Sequence, residues 1–304
     1  MSTTTTLILI QQYMTRYLLS AMLAFGTLGN LLTIVVFSRK KSSHKRSCSI
    51  YSIALSSFGL VASWWAIVPV INALDHFDMV NSSLVLCRIR GYTIHVSSMC
   101  FRYTLVLLCI DRYASCHPRA AIRALCRPQI ALRSICFLTI FWSIVSFHLL
   151  VWESIENNRC SIYGLYGQIF SFYSLVFVGI VPSVCMISTS IPLIKKLRQM
   201  NYRITPQDEP RRLNKRDVRL MKIVLMEVFF YILCTFLHPM MLIYCGITDN
   251  MGLEKSADRK QIESFINFIT MSVLLHLIYN ARFYMQFATS KTYRKEVKKS
   301  IICY

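Results

Sequence analysis

Arg102 and Glu227 are ionisable residues set well inside long apolar runs. A charge at membrane depth is costly and normally faces a partner inside the protein. The other reactive residues are scattered. The seven histidines (His44, His76, His95, His117, His148, His238 and His276) form no His-x-x-His or His-x-x-x-His pair, and the cysteines form no Cys-x-x-Cys. Those spacings would put two metal ligands or a redox couple on one turn or one helix face. His238 and His276 could meet between facing helices, but no carboxylate lies near them in sequence. No metal, cofactor or catalytic residue is therefore expected, and an enzyme is disfavoured. Asp111-Arg112-Tyr113 differs, because it closes an apolar run where a helix would reach a membrane surface.

The composition says what must position these residues. Of 304 residues, 55% are hydrophobic and only 16% charged, with a mean hydropathy of +0.46. A soluble domain needs nearer a quarter charged residues, so the excess apolar surface must face lipid. No shift in composition marks a second domain. The net charge of +20 would point to nucleic acid in a soluble protein. Here the basic residues sit in loops between apolar runs, where they fix orientation and attract anionic lipid. A nucleic-acid partner is not expected.

Seven runs have the length of about 20 residues that a bilayer core requires. They are Tyr17–Phe37, Cys48–Leu74, Ile89–Ile110, Ala131–Val151, Gln168–Ile194, Leu220–Ile247 and Ile262–Phe283. Barrel strands would alternate polar and apolar residues in shorter segments. The first run is too long for a signal-peptide core and is followed by Arg39, Lys40 and Lys41, with no small-residue cleavage site evident. The odd-numbered connections and the tail hold 22 Lys and Arg, against six in the N-terminus and the even-numbered connections. The excess of basic residues on cytoplasmic loops puts the N-terminus outside and the C-terminus inside. The expected architecture is an all-α, seven-helix membrane bundle at 17–283, with a short outer segment at 1–16 and a cytoplasmic amphipathic tail at 284–304. In the tail, Phe287, Tyr293, Val297 and Ile301 share one helical face amid Lys and Arg. Cys303 is a candidate for palmitoylation there. Asn81-Ser82-Ser83 is a glycosylation sequon in an outer loop.

Asp111-Arg112-Tyr113 stands 25 residues after Cys87 at the inner end of the third run. That combination resembles the rhodopsin-like G-protein-coupled receptors, and the chain looks like a divergent member of the peptide or chemosensory type. The resemblance runs from the first helix to the tail. Gly29-Asn30, Trp142, Pro182 and Pro239 match markers of the first, fourth, fifth and sixth helices, and Pro69 suits the second helix of peptide-type receptors. The resemblance implies a disulfide between Cys87 and Cys160, the only cysteine of the second outer loop. It implies an extracellular ligand, a heterotrimeric G protein engaged through Asp111, Arg112 and Tyr113, and a plasma-membrane location. A seven-helix chemosensory receptor of another family is the alternative, with a transporter or enzyme further behind.

The departures are equally specific. Gly59 stands where the family carries a buried Asp that helps hold sodium. Leu237 replaces a Trp two residues before Pro239. Arg219 takes the place of the acid expected opposite Arg112. The seventh helix reads Asn280-Ala281-Arg282-Phe283-Tyr284, keeping Asn and Tyr without the proline, and a register two residues later, ending at Gln286, suits the tail spacing better. Both registers stay open at this point. These losses predict signalling without ligand, or coupling of an unusual kind.

Ile94 occupies the third-helix position of an amine receptor's Asp, so a biogenic amine is disfavoured. The seventh run has no Lys for a retinal Schiff base. Ile94, His95 and Trp65 are candidate pocket residues. Pro69, the acidic outer loops and Trp64, Trp65, Tyr92, Trp152, Tyr163 and Tyr166 would suit a small peptide, although an interfacial aromatic belt accounts for the rings equally well. The basic third inner loop would complement an acidic G-protein surface or phosphoinositides.

Arg102 lies ten residues outward of Arg112, about 15 Å along a helix. Glu227 lies eight residues outward of Arg219, about 12 Å by the same rise. The third and sixth helices are neighbours near the cytoplasm in the family fold. A direct Arg102–Glu227 pair is a candidate for a deeper substitute for the missing lock; the alternative is a protonated Glu227, with Arg102 bonded to backbone carbonyls or reaching another helix.

Overall fold

The computed structural model describes residues 3–39, 47–117, 119–156, 158–202, 215–250 and 256–302. Seven helices among them are long and apolar enough to cross a membrane: Thr4–Arg39, Ser47–Asn72, Leu84–Ser115, Pro128–Trp152, Gly164–Lys195, Met221–Cys245 and Ala257–Thr289. A shorter helix, Lys291–Ile302, forms the tail. The all-α, seven-helix bundle read from hydropathy is the fold. The third helix is its central post and packs against the second, fourth and fifth.

The first helix starts earlier than the apolar run suggests, because residues 3–13 are already helical. Its added turns reach the outer end of the seventh helix, where the Thr4 hydroxyl donates to Asp258. Arg16 pairs with Asp75 after the second helix.

Two prolines shape the bundle in the same way. Proline has no N–H, so the carbonyl four residues earlier loses its helical donor, and in lipid that carbonyl must find another. For Pro69 the freed carbonyl is that of Trp65, and the Arg90 Nε donates to it at 3.1 Å while Nη2 donates to the Ala66 carbonyl at 3.0 Å. For Pro182 it is that of Val178, and the Tyr231 hydroxyl donates to it at 3.0 Å. Each freed carbonyl is thus stitched to a neighbouring helix, the second to the third and the fifth to the sixth. The sixth helix breaks at Phe236, three residues before Pro239, between Lys215–Thr235 and Leu237–Asn250.

The first, second and seventh helices touch closely. Asn30 Nδ2 donates to the Tyr279 carbonyl at 3.2 Å, and the Ser63 hydroxyl donates to Asn280 Oδ1 at 3.2 Å. A methyl on Gly26 would lie 2.0 Å from Asn280 Oδ1, and one on Gly29 would lie 2.8 Å from Phe283 Cβ. Only glycine admits that approach. The tail helix closes on the same block. Tyr293 packs on Phe37 and Phe283, and its hydroxyl lies 3.0 Å from that of Thr33.

At the outer face, Ser154–Glu156 and Arg159–Ser161 form an antiparallel pair with Ile155 opposite Cys160. A disulfide joins Cys160 to Cys87 at the head of the third helix. Arg88 helps seat this loop by donating to the carbonyls of Glu153 and Val151 at 3.0 and 2.9 Å. Asn81 Oδ1 accepts from the Cys160 amide at 2.7 Å, and Asn81 Nδ2 donates to Asp78.

Candidate functional site

The inner end of the third helix is a closed ionic element. Arg112 Nε donates to Asp111 Oδ2 at 3.1 Å, and Nη2 makes a second, shorter contact with the same oxygen. Arg112 and Asp111 are 7% and 6% exposed, so the pair is desolvated and strong. The Cys126 thiol donates to the Asp111 carbonyl at 3.2 Å, which ties the second inner loop to the motif. Tyr113 packs edge-on to His117. The Arg219 side chain and the inner loop at 203–214 lie outside the described residues.

A second buried ion pair lies above it. Glu227 Oε1 accepts from Arg282 Nε and from Gln286 Nε2, both at 3.0 Å. Arg282 Nη1 and Nη2 reach the Ser52 carbonyl and hydroxyl at 3.3 Å. Glu227 and Arg282 are each 4% exposed. The acid therefore pairs with the seventh helix, and the candidate Arg102–Glu227 pair is not formed. The reason is competition: Arg282 and Gln286 on the seventh helix occupy Glu227 Oε1, and no ion pair among the described residues includes Arg102. Arg282 faces Glu227 directly. The sequence carried a signal for it, since Arg282 is itself a charge inside an apolar run. Gln286 and Ser52 carried none, because polar neutral residues are common in membrane helices.

The description "7 transmembrane receptor (rhodopsin family)" belongs to a family model that matches residues 29–284. The chain belongs to that family. A comparison with curated proteins returns no match.

Among the rhodopsin-family markers, Asn30, Trp142, Pro182 and Pro239 are all buried in the bundle. Trp142 packs with Met99, Cys100 and Val178. The seventh-helix register is resolved by direction. Tyr284 is 39% exposed and donates outward to the Phe25 carbonyl, whereas Arg282 and Gln286 face the interior. The register ending at Gln286 is the inward one, and Tyr284 is not an interior motif residue. Asn280 remains interior through Ser63. Gly59 lies against Tyr279 and Asn30, so first- and seventh-helix atoms occupy the surroundings of the family's Asp. Leu237 is half exposed, and His238 is the buried residue beside Pro239.

The three outer candidates do not form one cluster. His95 turns toward the fourth and fifth helices, with Nε2 3.2 Å from the Tyr173 hydroxyl and its ring among Phe170, Tyr173 and His148. His148 in turn bonds the Tyr166 hydroxyl. Trp65 is 39% exposed on the second helix, and its carbonyl serves Arg90. Ile94 is half-buried beside His95. A separate cavity of about 510 Å³ opens between the outer ends of the sixth and seventh helices. Tyr244, Arg259 and Glu263 supply its polar wall, with Arg259 bonded to both of the others.

Glu153 is the outer surface's unusual acid. It is 8% exposed, folds over Gly91 and leaves Oε2 without a partner. Burial raises its carboxyl to about 7, against the opposing pull of Arg90 and Arg88. It also lies against the Cys87 and Cys160 sulfurs. Those are bonded to each other and cannot act as thiolate ligands.

Proposed function

We propose that this chain is a plasma-membrane G-protein-coupled receptor that takes an extracellular ligand and promotes nucleotide exchange on a heterotrimeric G protein. The supporting observation is the placement of Arg112. It is a buried cation at the inner end of the third helix, held by the acid next to it on its own helix. Its tie can be released without parting two helices, leaving a cation for a partner's helix C-terminus, where carbonyls and the helix dipole favour positive charge. Tyr113 and Asp111 complete that surface. Residues 1–16 form the outer segment, 17–283 the receptor bundle and 284–304 the cytoplasmic tail on membrane lipid.

The ligand reading is a small peptide. It rests on the acidic outer loops and on the large outer cavity beside the sixth helix. In this reading Asn81 bears a glycan, although its amide also braces Cys160. The acylation candidate Cys303 lies outside the described residues.

The test is nucleotide exchange on purified heterotrimer by the receptor in lipid discs. Stimulated or basal exchange is expected. A folded receptor that leaves exchange unchanged, across a panel of G proteins and peptide pools, overturns the reading.

A further inference from the structure

Cys87 and Gly91 stand four residues apart on the third helix and so share one face. The Glu153 carboxyl lies over that face, where a methyl on Gly91 would collide with both of its oxygens. A carboxyl oxygen and the sulfurs of Cys87 and Cys160 all lie within 4.8 Å of one another. Glu153 directly precedes the strand Ser154–Glu156, whose Ile155 pairs with Cys160. The hairpin that holds the disulfide therefore also delivers the acid to it.

The carboxyl has no other occupation. Its Oε2 is buried without a hydrogen-bond partner. Arg88 spends Nε and Nη2 on the Glu153 and Val151 carbonyls. Arg90 spends the same two nitrogens on the Trp65 and Ala66 carbonyls. Neither guanidinium forms an ion pair with the acid. Tyr166 of the fifth helix is within electrostatic reach, but its hydroxyl bonds His148. Asp78 caps its own short helix, and Glu156 and Arg159 are exposed. Burial outweighs the pull of Arg90 and Arg88, so the group keeps its proton up to about 7.

The two sulfurs differ in access. Cys87 is 0% exposed, whereas Cys160 is half-buried. A thiolate arriving from outside can attack Cys160 Sγ and not Cys87 Sγ. The sulfur that leaves is then Cys87 Sγ, which takes the electron pair of the broken bond. An anion there would be stranded away from water, and the neutral Glu153 carboxyl is the acid beside it.

We propose that Cys160 is a modification site for a small aliphatic thiol, with Glu153 as the proton donor of the exchange. The thiolate forms a new S–S bond to Cys160, the Cys160–Cys87 bond breaks, and Glu153 passes its proton to Cys87 Sγ. The products are a mixed disulfide on Cys160, a neutral thiol at Cys87 and a carboxylate at Glu153. The incoming thiol is itself the reductant. The hairpin keeps its bonds to Arg88 and Asn81 but loses its covalent tie to the third helix.

The test treats the purified full chain in lipid discs with reduced glutathione across the range from about pH 5.5 to 8.5. Samples are quenched by alkylation and mapped by mass spectrometry, and each rate is divided by the thiolate concentration. The first adduct should sit on Cys160. The normalised rate should be level below about pH 7 and fall about tenfold per pH unit above it, as Glu153 loses its proton. Loosening of the fold with rising pH would move the rate the other way, so the sign separates the two. Glu153→Gln should slow the exchange roughly 100-fold at the acid end and abolish its pH dependence. A normalised rate that is flat or rising in the unmutated protein overturns the proton-donor role without any variant having to fold, and so does a Glu153→Gln chain that reacts as fast as its parent. A first adduct on Cys87, or no adduct at all, overturns the modification site. No G protein enters the measurement, so its outcome is independent of the signalling reading.

Discussion

Glu227 on the sixth helix and Arg282 on the seventh are joined by a 3.0 Å bond in the buried interior. Glu227 Oε2 remains unpartnered beside them. Neither residue belongs to the Asp111–Arg112 element, yet the pair spans two helices where that element spans none. Among the described residues it is the cross-helix ionic tie of the inner half. Removing one partner of such a pair typically costs about 3–5 kcal/mol, because the other charge is stranded. Glu227→Leu and Arg282→Met should each lower the thermal midpoint and raise ligand-free nucleotide exchange. The double substitution should recover part of both changes. Strictly additive effects would show that the two side chains act separately.

Tyr231→Phe removes the donor that the Val178 carbonyl receives in place of the missing N–H of Pro182. Leaving that buried carbonyl unmet should cost about 1–3 kcal/mol. Adding Pro182→Ala restores a backbone donor and should return much of the lost stability. Thermal midpoints of the single and double variants decide it, and an unrescued double variant would mean Tyr231 matters for another reason.

Stability should depend on pH through Glu153. Its folded carboxyl titrates near 7, above the ordinary value of 4.5, so between those values the folded chain binds more protons than the unfolded one. Stability therefore falls as pH rises from about 4.5 to 7 and then levels. Glu153→Gln should flatten this slope and be relatively more stable at pH 8 than at pH 5.5. Thermal midpoints at the two pH values, compared with the unmutated protein, measure the effect. A slope unchanged by the substitution would assign it to other groups.

The Cys87–Cys160 bridge closes a loop with a sequence separation of 73. Cys160→Ala should destabilise the chain by about 2–5 kcal/mol and loosen the hairpin that Asn81 and Arg88 also hold. Peptide mapping without reductant should recover the linked pair, and the variant should show faster amide exchange over 154–161.

Arg112→Ala should abolish nucleotide exchange per receptor at the surface; because it strands the buried Asp111, exchange is normalised to surface expression. Exchange that survives in a well-expressed variant would remove Arg112 from the coupling role.

Hydropathy and loop charge carried most of the architecture, because lipid forces backbone groups to pair within each helix. The positions of the seven spans follow from that constraint. The spacing of Cys87 and Asp111-Arg112-Tyr113 placed the third helix in register. What stayed hidden was rotation about each helix axis. Leu237 and His238 are adjacent, and sequence spacing from Pro239 favoured the first, yet the second faces inward. The same ambiguity separated Tyr284 from Gln286 and sent Glu227 to Arg282. Arg90 and Tyr231 were unreadable for a different reason. Their carbonyl partners are created by prolines on other helices, and a single sequence does not state which helices adjoin.

The glycine contacts at Gly26 and Gly29 have a mechanical consequence. A helix that cannot accept one added methyl against its neighbour cannot slide or roll past it. The first and seventh helices, with the tail helix clamped to them through Tyr293, therefore behave as a stator. The sixth helix is a lever by comparison, interrupted at Phe236 and tied inward through Tyr231 and Glu227. Any displacement of the sixth helix has to break the Tyr231–Val178 and Glu227–Arg282 bonds first.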